Sequence, residues 1–291
     1  MSGVDHRLID WSGVSRSAYL VEQSFRYEYP EPVRELRQRL LVIPPSRFGD
    51  QRRLDHCLEV LLPGAEVGDR VDRFGNVVME VYAPRVESSI EFTARVRVQR
   101  EAGHLNRLRD GWLGDGYLLE PTRLTVPDTR IQRAAERLAA DSAWGLPLAD
   151  RINDWVYQSM TYQADCTGVK TTAAQALTLG RGVCQDYAHV MLAVCRACRL
   201  PARYVSGHLV GEGGSHAWVE VLLPTEDGTG DALAWSFDPT HAGRGGLNYV
   251  TIAVGGDYAD VAPTSGSYVA AVQGRLSSRK RVSLTQLDYA V

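Results

Sequence analysis

No stretch of the 291 residues reaches the ~18 consecutive apolar residues that a membrane-spanning helix needs. The opening Met1-Ser2-Gly3-Val4-Asp5-His6-Arg7 has no apolar run of the kind a secretory signal carries. An excess of one charge is missing too: 32 basic against 35 acidic residues leave a formal net charge of -3 and a pI near 6.2. That gives no electrostatic case for nucleic acid or an anionic membrane as partner. The one tight basic run, Arg275 to Arg281, reads as a solvated turn. Cysteine is scarce and odd in number: Cys57, Cys166, Cys184, Cys195 and Cys198 are too few and too scattered for a disulfide framework, which points to a reducing cytoplasm. The acidic stretch Glu226-Asp227-Gly228-Thr229-Gly230-Asp231 lacks the alternating ligands and closing glutamate of a calcium loop and reads as a polar hairpin loop. No metal or cofactor is expected.

What is present is ordinary in bulk: 44% hydrophobic and 23% charged residues imply a sizeable core, and the length is comfortable for two domains. From about residue 18 to 99 short β segments recur between turn signals. Val21 to Tyr29 is broken by Pro30 and Pro32, Leu36 to Ile43 by Pro44-Pro45, and Leu54 to Leu62 by Pro63-Gly64. Gly75-Asn76 stands between two apolar-flanked segments as a hairpin turn. Phe92, Ala94, Val96 and Val98 then alternate onto one face. An antiparallel sandwich-like β domain over residues 1–110 is the expectation.

The glycines between Gly103 and Gly116 mark a boundary, and residues 111–291 read as a second unit. Helices are predicted over residues 127–143, 148–160 and 171–179, and from Cys184 to Leu200-Pro201, with Tyr187, Ala188, Met191, Leu192 and Cys195 facing inward. Strands follow over 203–210, 216–223, 233–237 and 251–254. The tail adds 268–273 and 282–287, joined by the basic turn. Helices first and strands later indicate α+β rather than alternating units.

Chemistry concentrates on Cys184. A turn, Leu179-Gly180-Arg181-Gly182, delivers it to a helix N-terminus, where unpaired N–H groups and the macrodipole favour a thiolate. His216 opens a strand after a run of glycines, sharing its face with Trp218 and Glu220. Asp238 ends the next strand, beside a proline. Neighbouring antiparallel strands can bring its carboxylate to one ring nitrogen of His216, leaving the other for the sulfur. The arrangement is a nucleophile, a base and an orienter. An oxyanion would need donors: the Cys184 backbone N–H is one, and Tyr162 or Gln163 are candidates for the second. Gln185, Trp218, Asp257 and Tyr258 are candidate groove residues. Cys195 and Cys198 read as small core residues, His189 as packing or capping, His208 as a strand surface or groove rim, and Cys166 as an exposed thiol near the cleft.

Gly182-Val183-Cys184, Ser215-His216-Ala217-Trp218 and Asp238-Pro239-Thr240 together resemble the transglutaminase-like (transglutaminase/protease) superfamily. Residues 201–207 and 257–263, with Tyr29-Pro30-Glu31-Pro32-Val33 and Asp72-Arg73-Phe74-Gly75-Asn76, are similar to its bacterial subgroup. The resemblance implies a papain-like core preceded by an accessory β region, with Cys184, His216 and Asp238 at the catalytic positions. Two departures stand out: Gly256 where the subgroup usually carries arginine, and His241 where asparagine commonly follows Asp-Pro-Thr.

Cysteine-dependent acyl transfer at an amide, through a Cys184 thioester, is therefore the expected function. The substrate is a peptide or another amide. With water as acceptor the result is peptide or isopeptide hydrolysis. With a primary amine it is an amide-forming acyltransferase of a biosynthetic pathway. The rival from another class is a catalytically idle peptide-binding module.

Overall fold

The structure, a computed structural model, describes residues 9–103, 105–109 and 111–290. Seven strands come first: β1 (Val14–Glu28), β2 (Val33–Ile43), β3 (Arg47–Phe48), β4 (Gln51–Val60), β5 (Glu66–Val71), β6 (Val77–Val86) and β7 (Ser89–Glu101). Alternation in the sequence becomes alternation in burial. Phe92, Ala94, Val96 and Val98 of β7 point inward against Val21 and Phe25 of β1, Leu36 and Leu40 of β2 and Val81 and Ala83 of β6, while the residues between them stay partly or fully exposed. Two antiparallel sheets thus close on one apolar layer.

The expected hairpin exists: Asp72 N–H donates to the Asn76 carbonyl, and β5 pairs with β6. Asn76 does more than turn the chain. It is buried, its amide donates to the carbonyl of Val254, and its side-chain oxygen accepts from the Val254 N–H. A turn residue therefore fastens the β lobe to the following one.

That following lobe runs β8 (Asn106–Leu108), α1 (Gly116–Leu119), α2 (Thr129–Ala140), α3 (Leu146–Ser159), β9 (Thr161–Tyr162), α4 (Ala173–Leu179), β10 (Arg181–Gly182) and α5 (Cys184–Ala197). Then come β11 (Ala202–Leu209), β12 (His216–Pro224), β13 (Ala232–Asp238), β14 (Gly243–Arg244), β15 (Tyr249–Gly255) and α6 (Tyr258–Val261). The strands form a sheet in the order β14-β13-β12-β11-β15, with β8 added along β13. Helix starts follow the local chemistry: Asp128 accepts from the Ile131 N–H at the head of α2, and Thr172 and Gln175 cap α4 reciprocally. α5 is buried on every side from Asp186 to Arg196, more completely than the single inward face expected. It lies against Ala217, Val219 and Val221 of β12, with α2, α3 and α4 packed around it.

The end of the chain departs from expectation. The basic run is no turn: it belongs to β17 (Arg275–Tyr289), paired along nearly all of β1. β16 (Thr264–Val269) pairs with β2. The boundary expected at 110/111 assigns these strands to the second unit, but their hydrogen bonds put them in the two sheets of the first. β1 is a long strand, and its edge away from β7 needs a partner; β17 supplies one. The strand expected over 282–287 is therefore real but begins earlier: residues 275–281 are almost all exposed, so their charge hid the first half of β17 from a reading based on charge. Val210, Val250 and Ile252 extend the apolar layer of the β lobe into the second lobe, so the two are packed together.

Candidate active site

Cys184 is the first residue of α5 and is partly exposed. The turn before it is held by Asp186, whose Oδ2 accepts from the Val183 N–H at 2.8 Å and from Thr167 Oγ1 at 2.6 Å. Gly182 has to be glycine here, because a Cβ would lie 2.6 Å from that same Oδ2. Parallel pairing of β9 with β10 sets Tyr162 beside Gly182. Tyr162 is half in solvent, and its pKa is raised by burial and then by Cys184 and Glu212, which places it in the field of the thiol. Gln163 instead turns its side-chain oxygen to Arg181 at 3.3 Å, which leaves Tyr162 the better placed of the two oxyanion candidates.

His216 opens β12 and is almost wholly buried. Its Nε2 lies 2.7 Å from Oδ2 of Asp238, the last residue of β13. Asp238 is saturated with donors: His241 Nδ1 at 2.8 Å and the Tyr249 hydroxyl at 2.8 Å reach the same Oδ2, and the Thr240 N–H reaches Oδ1 at 2.9 Å. Burial works against the carboxylate, but His216 and His241 hold its pKa below the ordinary range. On its other side, His216 Nδ1 faces Oε2 of Glu212 at 3.3 Å. A carboxylate only accepts, so a ring between two of them carries a proton on each nitrogen. Burial opposes that charge, yet Asp238, Cys184 and Glu212 together raise the His216 pKa well above that of a free histidine.

Trp218 lies behind the base, its ring centroid 6.2 Å from that of His216 and 5.3 Å from Tyr249. Gly207 makes room for it: a Cβ there would meet the indole at 2.6 Å and the Val250 carbonyl at 2.1 Å. Trp218 is therefore a buried support facing a rear cavity of about 460 Å³, and not a groove residue. Two further groove candidates are also taken up by packing. Asp257 is buried and caps α6 through the Ala259 N–H, and the Tyr258 ring meets Tyr204 edge-on. Gln185 stays partly exposed beside Cys184. A cleft of about 550 Å³ is lined by Tyr157, Met160, Tyr162, Tyr187, Glu212 and His241, of which Glu212 and His241 touch His216 or Asp238.

His208 is buried, not on a rim; burial pushes its pKa down to about 4, and its Nδ1 meets the Gly214 carbonyl. His189 packs inside and accepts from the Tyr258 N–H, as a capping role requires. Burial raises the thiols of Cys195 and Cys198, the latter to about 11, which suits inert core residues. Cys166 is half-buried and donates to the Gln163 carbonyl. Among the described residues, the group able to converge on a metal ion is His216, Asp238 and His241, the same atoms already joined by hydrogen bonds.

Four contributors had no signal of their own in the sequence reading: Glu212, His241 as an arm on Asp238, Tyr249, and Lys280. The last reaches in from β17, its Nζ donating to Ser215 Oγ at 2.9 Å. Burial lowers the Lys280 pKa and Cys184 pulls it back up, which sets this cation within the thiol's field.

A partly exposed thiol on a helix start, with a buried imidazole and a buried carboxylate on adjoining strands, sits here in an α+β fold of the papain-like class. The chain belongs to the transglutaminase-like superfamily. Residues 132–236 match that superfamily and residues 19–99 match the bacterial transglutaminase-like N-terminal region. The superfamily match includes Cys184 and His216 and stops two residues before Asp238. An uncharacterized protein of Mycobacterium leprae is 32% identical over 217 residues, 68% of this chain and 75% of that one. An uncharacterized protein of Mycobacterium tuberculosis is 34% identical over 134 residues, 41% of this chain and 42% of the other. Among solved structures, a candidate cysteine protease of Cytophaga hutchinsonii superposes with a TM-score of 0.74 at 21% identity, covering 94% of this chain and 93% of its own. At that identity the likeness is one of fold. No described helix is long and apolar enough to cross a membrane.

Proposed function

We propose that this protein is a cysteine amidase or peptidase that acts through a Cys184 thioester. The observation that carries the reading is the buried His216, held through Nε2 by Asp238 at 2.7 Å, with Nδ1 left on the side of Glu212. Cys184 Sγ attacks the amide carbonyl, and the Cys184 N–H with the Tyr162 hydroxyl stabilises the oxyanion. Collapse breaks the C–N bond as His216 Nδ1 gives its proton to the leaving amine. Water then attacks the thioester, with His216 taking its proton, and releases the acid. Asp238 keeps Nε2–H pointed inward throughout, which fixes Nδ1 as the working nitrogen. A reducing, cytoplasmic setting suits a free catalytic thiol and belongs to the same proposal.

An activated aryl acetate tests the first half without knowledge of the natural amide. Mass spectrometry of the digested protein should find acetyl on the Cys184 peptide within the first turnovers, and a Cys184→Ala variant should show none. Acetyl found elsewhere, or equal labelling in the variant, contradicts the assignment. Adding a primary amine then separates acceptors: free acetate is the expected main product, and a majority of N-acetyl amine would identify a transferase instead.

A further inference from the structure

Glu212 stands in the turn between β11 and β12, flanked by Gly211 and by Gly213-Gly214. Its carboxylate spans two rings at once: Oε2 is 3.3 Å from Nδ1 of His216, and Oε1 is 3.1 Å from Nε2 of His241. Each ring gives its remaining nitrogen to Asp238, so the four side chains close a ring of alternating charge. Nδ1 is the nitrogen that Asp238 leaves over for sulfur. Glu212 therefore sits where the thiol's proton has to be received and where the leaving amine has to be protonated.

The rest of the turn is built to pivot. Its far end is pinned by Lys280 Nζ on Ser215 Oγ at 2.9 Å, with the Gly214 carbonyl near His208 Nδ1 at 3.2 Å. Gly211 has φ +95°, and Cβ atoms added at Gly213 or Gly214 would meet nothing within 4 Å. The backbone closes the turn through Glu212 N–H on the Leu209 carbonyl at 3.2 Å and Gly214 N–H on the Glu212 carbonyl at 2.8 Å, and among the described residues the Glu212 carboxylate is what ties its near end to the imidazoles. Glu212 is also 43% exposed and lines the 550 Å³ cleft beside His241. Resting on the Cys184–His216 reading, we infer that Glu212 is a latch. It is a positioning residue that seats the β11–β12 turn over the reactive pair, competes with Cys184 for Nδ1 of His216, and swings out when a bulky acyl donor enters.

The test compares two thiol reagents, iodoacetamide as the small one and N-phenylmaleimide as the bulky one, on the wild type and on Glu212→Ala, Glu212→Asp and His216→Ala. The latch predicts that Glu212→Ala raises the bulky-to-small rate ratio at Cys184 by about fivefold or more, the scale of one lost charged hydrogen bond. Glu212→Asp, one methylene short of spanning both rings, should behave in the same way. An unchanged ratio would overturn the latch, because a purely electrostatic role alters both reagents alike. So would a slowing of both reagents. If His216→Ala leaves iodoacetamide as fast as in the wild type, the underlying Cys–His reading has failed, and that result is visible without any Glu212 variant.

Discussion

Asp238→Asn is expected to lower amide turnover by about 10⁴-fold, the scale seen when the carboxylate of a Ser-His-Asp triad becomes an amide. The reason is in the donor count. Oδ2 accepts from His216, His241 and Tyr249, while Oδ1 accepts from the Thr240 N–H. An amide has one oxygen. If that oxygen faces the three side chains, its NH₂ confronts the Thr240 N–H; if it is flipped, the NH₂ confronts the rings. Either way His216 loses the partner that fixes its tautomer, and buried donors are left unpaired at a cost of about 1–3 kcal/mol each. Labelling by an aryl acetate should fall less than amide turnover, since an aryl oxide needs no proton to leave. Equal losses on both substrates would show that Asp238 serves the fold and not the proton transfer.

Glu220→Ala should have the largest effect on stability. Arg203 and Glu220 are directly paired across β11 and β12, both nearly inaccessible, with Arg203 Nε donating to Glu220 Oε2 at 2.7 Å. The guanidinium also lies 5.3 Å from the Phe48 ring, a contact between the lobes. Removing one partner strands a buried charge, which costs about 3–5 kcal/mol and should lower Tm by about 10 °C. Replacing both, as in Arg203→Met with Glu220→Leu, removes the charge problem along with the attraction and should recover most of that loss. Thermal unfolding of the three variants decides it; a double variant as unstable as the single one would mean that the pair itself is indispensable. Because Glu220 shares a strand face with Trp218 and His216, the single variant should also slow Cys184 labelling below its Tm.

The three residues proposed as a triad were legible as positions because each carries a local signature: a glycine turn before a helix, a histidine opening a strand, an aspartate closing one. The N-terminal strands were legible for a similar reason, since period-2 burial in β7 and proline stops after β1 and β2 are written within a few residues. What escaped was set by distant partners. Lys280 is 65 residues from Ser215, and the strand that carries it is defined by the unpaired edge of β1, which nothing within residues 275–289 announces. Tyr249 reaches Asp238 from another strand. Trp218, Asp257 and Tyr258 look like groove residues from composition, yet sheet packing and a helix cap claim them. His241 was visible only as a departure from the pattern of the family. Its use, to join Asp238 to Glu212, follows from the turn after Pro239 that brings it back over the carboxylate.

The central claim is that His216 activates the Cys184 thiol as a nucleophile. The direct measurement is the rate of Cys184 alkylation by iodoacetamide as a function of pH, in the wild type and in His216→Ala. A protonated His216 favours a thiolate beside it, so the wild-type rate at pH 7 should exceed that of His216→Ala. In His216→Ala the profile should follow an ordinary thiol, with its midpoint near ~8.5 and only about 3% thiolate at pH 7. A wild-type profile already centred near ~8.5, and unmoved by the substitution, contradicts the account.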